Sequence, residues 1–112
     1  MESLRSKKDF DRVFSEGQRE QNACLSMFVV PREGAVVIRI GIPVGKRFGK
    51  AVRRNRIRRR LREACRQELM EASITGGWDI VCLPRSRVYD IEFTALRNAV
   101  KELFEKHNMI GD

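Results

Sequence analysis

The sequence predicts an α+β fold, a single domain over residues 1–112 in which three helices pack on a small mixed β-sheet. Three observations carry this. Helical apolar spacing recurs in three separate segments, and period-two alternation fills the stretch between the first and second. The 112 residues, 42% of them hydrophobic, suffice for one modest core.

The elements follow in order. Ser6 with Asp9 resembles a capping box, and Phe10, Val13 and Phe14 stand at i, i+3 and i+4 before a stop at Gly17. A first helix is therefore expected over roughly 7–16. In residues 24–30, Leu25, Met27 and Val29 share one face, and Cys24, Ser26, Phe28 and Val30 the other. After Pro31 and a turn around Gly34, residues 36–44 put Val36, Ile38, Ile40, Ile42 and Val44 on one face. Val37, Arg39, Gly41 and Pro43 fall on the opposite face. Two alternating runs joined by a short Gly-containing link predict an antiparallel hairpin, with room for a further short strand before Asn22. Pro43 cannot donate to a ladder, so pairing should fray there. A long helix is expected from about Ala51 to Ala72, ended by Thr75-Gly76-Gly77. Residues 79–84 (DIVCLP) form a third strand. Phe93, Leu96, Val100, Leu103 and Phe104 define a last helix, roughly 92–107. The order is α-β-β-α-β-α.

Charge points to function. The chain carries a net +8, with an isoelectric point near 10.1, which implies a polyanionic partner or an anionic membrane surface. Lys46 to Arg66 holds eleven basic residues against the single acidic Glu63, while the remainder holds twelve basic and fourteen acidic. The basicity is one patch. Within it, arginine outnumbers lysine nine to two. Guanidinium forks bond phosphate oxygens bidentately and stack on bases, so this bias fits nucleic acid better than simple solubility does.

On the expected long helix, Ile57, Leu61, Ala64, Cys65 and Ala72 form the apolar stripe. Asn55, Arg59, Arg62 and Arg66 lie opposite, with Arg58 at the margin, while Arg54, flanked by Arg53 and Arg60, falls on the apolar side of the first turn. Like charges at these spacings repel, with Glu63, Glu68 and Glu71 as the available offsets. A phosphate lattice would relieve that repulsion and release counterions.

Other classes fit less well. A membrane or calmodulin-binding helix needs its apolar stripe exposed, and here the core needs it. No apolar run is long enough to span a bilayer, and MESLRSKKDF lacks the apolar stretch of a signal peptide, so a cytoplasmic protein is expected. Cys24, Cys65 and Cys82 form no CxxC pair and read as small apolar residues with reduced thiols. His107, the only histidine, is expected in a fraying, solvated last turn, without the partner that general acid–base catalysis requires. Asp9 and Asp11 are accounted for by a helix N-terminus. A ribosomal or assembly protein binding structured RNA fits the same patch. A major-groove reader would use Asn55, but no dimer element accompanies it.

Residues 46–66, KRFGKAVRRNRIRRRLREACR, resemble the arginine–asparagine–arginine signature of the bacterial ribonuclease P protein family, centred on Arg54-Asn55-Arg56. Asp9-Phe10 with Val13-Phe14 and Gly17, Asn22 with the 25–30 strand, Arg39-Ile40-Gly41-Ile42, and Trp78-Asp79-Ile80-Val81 through Pro84-Arg85 resemble the family in the same order. The resemblance covers about residues 4 to 106. It implies a fold with a left-handed β-α-β crossover, which patterning alone would not suggest. It also implies a protein subunit of ribonuclease P, the endoribonuclease that removes the 5′ leader of precursor tRNA. Catalysis would reside in a large RNA subunit with magnesium, held mainly by that RNA and the substrate. This chain would hold no catalytic residue and no metal of its own, and would need no protein partner. Arg53, Arg54, Asn55, Arg56, Arg59 and Arg60 would pack on the RNA subunit, and the arginine face adds Arg62 and Arg66. The single-stranded leader would follow Phe10, Phe14 and Phe28, edged by Lys46, Arg47, Lys50 and Arg85. Independently, an accessible Phe28 flanked by basic residues suits sequence-tolerant stacking of single strands.

Overall fold

In a computed structural model, which describes residues 1–88 and 90–109, five strands form one mixed sheet. They are β1 (Glu2–Ser3), β2 (Gln18–Gln21), β3 (Leu25–Pro31), β4 (Ile38–Gly41) and β5 (Trp78–Pro84), in spatial order β1-β4-β5-β3-β2. The helices are α1 (Lys7–Glu16), α2 (Ala51–Glu71) and α3 (Phe93–Lys106). Helices α2 and α3 lie together on one face, over Leu25, Met27, Ile40, Ile80 and Cys82. Helix α1 covers the other face over Val30 and Val81. The α+β layer architecture is as predicted.

The expected hairpin between residues 24–30 and 36–44 does not form. Strand β5 lies between them, antiparallel to β3 and parallel to β4, and the hairpin partner of β3 is β2. The faces nevertheless match the alternation: Leu25, Met27 and Val29 enter the main core with Ile40 and Ile42, and Phe28 lies on the α1 side. The second run is also shorter than predicted, its ladder covering only Ile38–Gly41. Ile42 and Val44 stay buried with Pro43 exposed between them. Alternation thus persists past the end of pairing, where Pro43 has no N–H to offer. At the other end of the run Val36 is 85% exposed. From β4 the chain passes through α2 to β5, the parallel crossover to which the resemblance assigns a left hand.

Helix ends show what each stop signal does. Ser6 caps α1, its hydroxyl accepting from the Asp9 N–H at 3.4 Å. Gly17 stops the helix through space, not handedness: its φ is −75°, and a Cβ there would stand 2.4 Å from the Val13 carbonyl. Helix α2 ends before the predicted glycine pair. Ser73 adopts a φ of 53°, and the Ile74 N–H closes back on the Leu69 carbonyl at 3.1 Å. Asn22 holds the β2–β3 turn to α3, its carboxamide oxygen accepting from the Cys24 and Leu25 N–H groups and its nitrogen donating to the Ala99 carbonyl.

The end of α3 does not fray. Asn108 takes the left-handed region at φ 57°, the Met109 N–H closes on the Phe104 carbonyl, and His107 and Met109 are buried. His107 Nε2 lies 3.0 Å from the Met27 carbonyl. A carbonyl only accepts, so Nε2 carries the proton. Burial pushes the imidazole pKa down, against the pull of the Met27 bond and Glu20. The unfolded chain therefore gains a proton near pH 6.5 that the folded one resists, and stability falls as pH drops below that point. His107→Gln keeps a donor for Met27 but has no charge to gain. Urea midpoints measured between about pH 7 and 5 should decline less steeply for this variant. Identical slopes would place the acid sensitivity elsewhere.

Candidate nucleic-acid interface

Two surfaces carry the predicted site residues. The first is the sheet face beneath α1. Register places Arg19, Phe28, Val81 and Gly41 side by side across β2, β3, β5 and β4. Val81 is buried, and Phe28 is half-buried. Phe14 on α1 meets Phe28 edge-on, with centroids 5.1 Å apart and planes at 81°, and is itself 41% exposed. Phe10, one turn earlier, lays its ring on Gly41, where a Cβ would stand 2.4 Å from the ring edge. The three predicted aromatics thus share one face, with Phe10 and Phe28 also packed in the small core beneath α1. Sequence reasoning missed Arg19, whose guanidinium sits 5.8 Å from the Phe28 centroid. Pairing of β2 with β3 puts it there, and that pairing was foreseen only as room for a strand.

What holds α1 in place is a buried charge cluster one row further along the sheet. Asp79 of β5 is fully buried and accepts from Arg39 at 2.8 and 2.7 Å, and from Arg12 of α1. Arg32 lies at 3.6 Å, and Arg39 also reaches Asp9 at 3.3 Å. Burial alone would raise the Asp79 carboxyl; the guanidiniums of Arg39, Arg12 and Arg32 hold it below the usual carboxylate value. The alternation placed Arg39 on this face, but nothing in it paired Arg39 with Asp79.

The basic edge residues lie off one end of the sheet. Because β4 and β5 are parallel, residues 42–50 and 85 both leave their C-terminal ends. Lys46, Arg47, Lys50 and Arg85 are all exposed there. Arg47 stacks 4.6 Å over the buried Phe48 within the short 3-10 turn Lys46–Phe48. The Arg85 N–H bonds the Cys24 carbonyl at the start of β3.

The second surface is α2. Its buried stripe is Ile57, Leu61, Ala64, Cys65, Glu68 and Leu69, close to prediction but with a carboxylate in it. Glu68 pairs with Arg97 of α3 (2.7 Å), which also takes Glu71. These two acids therefore bind across to α3 instead of offsetting the arginine face. Glu63 takes Arg66, whose two bonds hold the Glu63 carboxyl down at about 2. Arg60 donates to the Ile91 carbonyl at 2.7 Å and Arg58 to the Asn55 carboxamide oxygen at 2.7 Å. Among the described residues, Arg56, Arg59 and Arg62 have no carboxylate partner. Arg54 is half-buried, and among the described residues its Nε meets no acceptor, a donor whose cost an incoming oxygen would remove. Arg53 lays its stem against Gly49. A groove of about 880 Å³ runs from Lys50, Arg53, Arg56 and Arg60 to residues 90–92.

Among the described residues no three carboxylate, histidine or cysteine side chains converge as metal ligands, and no helix is long and apolar enough to cross a membrane. The arrangement offers rows of guanidinium donors and a partly open aromatic floor.

The family model described as Ribonuclease P matches residues 1–108. The chain is 36% identical over 107 residues to the ribonuclease P protein component of Symbiobacterium thermophilum, covering 96% of this chain and 91% of that one. It is 40% identical over 103 residues to the component of Coprothermobacter proteolyticus, covering 92% and 82%. The solved RNase P protein of Thermotoga maritima superposes with a TM-score of 0.81 at 33% identity, over 95% of this chain and 97% of that one.

Proposed function

The chain belongs to the ribonuclease P protein family and is a protein component of that enzyme, and on this premise we propose how its two surfaces divide the work. The α2 face, with Arg53, Arg54, Asn55, Arg56, Arg59, Arg60, Arg62 and Arg66, binds the RNA subunit. The α1 face receives the 5′ leader of precursor tRNA along Phe10, Phe14 and Phe28, edged by Lys46, Arg47, Lys50 and Arg85. Arg19 joins that edge. Hydrolysis belongs to the RNA subunit, with magnesium held mainly by that RNA and the substrate. The chain acts as one RNA-binding domain in the cytoplasm, and no protein partner is required.

One observation carries this reading. The molecule neutralises its buried carboxylates, Asp79 and Glu68, yet leaves Arg56, Arg59 and Arg62 on the outer surface of α2 with no carboxylate partner among the described residues. Such a face is relieved by phosphates arriving from outside.

Mixing the protein with a bacterial ribonuclease P RNA at low magnesium should restore cleavage of precursor tRNA. No rescue, with equal affinity for ribosomal RNA, would overturn the reading in favour of a general RNA-binding role. Within the rescued complex, Phe28→Ala should weaken leader-bearing precursor about tenfold, as one stack of ~1–3 kcal/mol implies, and leave mature tRNA unchanged. Phe28→Leu keeps apolar bulk in the small core, so a similar loss there separates stacking from folding. Equal loss on both RNAs removes Phe28 from the leader path.

A further inference from the structure

The sheet has an open edge beside the C-terminal half of α2. Strand β1 covers only Arg39 and Ile40 of β4. The Leu4 N–H bonds the Ile40 carbonyl, so the Ile40 backbone is turned toward β1. Alternation turns the backbones of Ile38 and Val36 the same way. Val37 points oppositely, its carbonyl accepting from Arg32 at 3.3 Å. Val36 therefore stands past the end of β1, and among the described residues its N–H and C=O bond no other backbone group. A strand edge left open in this way is a template for a further strand.

A groove of about 830 Å³ runs beside this edge, floored by Met1, Val36, Ile38, Leu69, Met70 and Ile74. Among the described residues five large apolar side chains are exposed. Three of them, Met1, Val36 and Met70, gather in this one groove, Met70 at 66% exposure. Phe14 lies on the aromatic face and Val52 in the groove at the start of α2. The apolar groove runs on, past Met1 and Arg66, into a smaller cavity that those two line together with Arg59, Arg62 and Glu63. Three guanidiniums there face one carboxylate, which Arg66 already holds at 2.9 Å. One end of the groove is thus cationic, while its length is apolar with main-chain bonds on offer.

These features select the occupant. A second copy pairing edge to edge would bring two such arginine clusters together, which like charge opposes. RNA would find partners for its phosphates, but among the described residues no aromatic ring lines the groove for a base to stack on. An extended acidic peptide uses the open edge, the apolar floor and the cationic end at once. We propose that this groove binds an extended acidic segment of another protein, added as a strand beside residues 36–38. Main-chain bonds set its register, alternate aliphatic side chains fill the floor, and carboxylates at one end meet Arg62 and Arg66. Cleavage of precursor tRNA does not need this partner.

The probe is a library of random peptides displayed on phage and selected on the immobilised full chain. Selected sequences are expected to alternate aliphatic with polar residues and to carry carboxylates toward one end. A synthetic copy of the most enriched one should shift the amide resonances of Val36, Ile38, Met70 and Ile74. Methylating its alternate amide nitrogens should weaken binding about tenfold or more, because an added strand is held by its main chain. Replacing its carboxylates by carboxamides should weaken it about tenfold as well. Val36→Asp, at a position 85% exposed, should abolish peptide binding and leave rescue of cleavage by ribonuclease P RNA unchanged. No enrichment, selected sequences without alternation or carboxylates, or indifference to N-methylation would overturn the proposal. Two further outcomes would also overturn it. A dimer in sedimentation that Val36→Asp dissolves would give the groove to a second copy. Loss of affinity for the RNA subunit in Val36→Asp would give it to RNA.

Discussion

Asp79→Asn is expected to cost about 3 kcal/mol of folding stability, the lower end of what breaking a buried ion pair costs. The carboxylate is fully buried in the central strand, and Arg39, Arg12 and Arg32 converge on it from β4, α1 and the segment after β3. An amide keeps the shape but leaves three guanidiniums facing one another. They are each about a quarter to a third exposed, so water screens part of the repulsion, which is why the lower end applies. The pH dependence has a definite sign. The folded carboxyl titrates below its unfolded value, so the stabilisation is fully present above the ordinary carboxylate range and is lost as pH falls through the folded pKa. Urea denaturation of both proteins at neutral pH measures the difference; a change under about 1 kcal/mol would show the cluster to be structurally idle. There is a functional consequence too. Arg12 lies between Phe10 and Phe14, so releasing it loosens the rings that face the leader. Leader discrimination should fall while the α2 face keeps its affinity for the RNA subunit.

How far these features were legible depends on the range of the signal. The bounds of α1 were readable because capping, spacing and Gly17 all lie within ten residues or so of one another. The α2 stripe was readable because the 3.6 period runs through the whole element. The faces of Phe28 and Arg39 were readable because alternation is local. Strand neighbours were not. Residues 32–37 link β3 to β4, and six residues at ~3.3 Å each easily cross the ~9.6 Å that an intervening strand requires. A link that short is therefore compatible with a hairpin and with a strand inserted between, and β5 arrives only after α2. The Asp79 cluster and the stacking of Arg19 on Phe28 depend on those neighbours, so they were hidden with them. His107 was misread for a related reason: the end of α3 closes on Met27 of β3, eighty residues earlier.

Replacing Arg56, Arg59 and Arg62 together with glutamine is expected to flatten the salt dependence of RNA-subunit binding by about 2 to 3 units of log–log slope, since each phosphate contact contributes about 0.7 to 0.9. The choice of residues follows from their partners. Among the described residues these three have no carboxylate to leave behind, so each contact they make with phosphate releases counterions without breaking an internal pair. Arg66 is on the same face but is held by Glu63 through two bonds, and its removal also frees that acid. Arg66→Gln should therefore change the slope by less than one contact's worth, while exposing a carboxylate that repels RNA and lowers affinity at every salt concentration. Helicity should survive in the triple variant, because all three side chains lie off the buried stripe and glutamine is a good helix former. Far-UV circular dichroism checks that point before any binding is measured. An unchanged slope in a folded triple variant would mean that the unpaired guanidiniums face solvent in the complex, and the RNA would then have to meet the protein elsewhere.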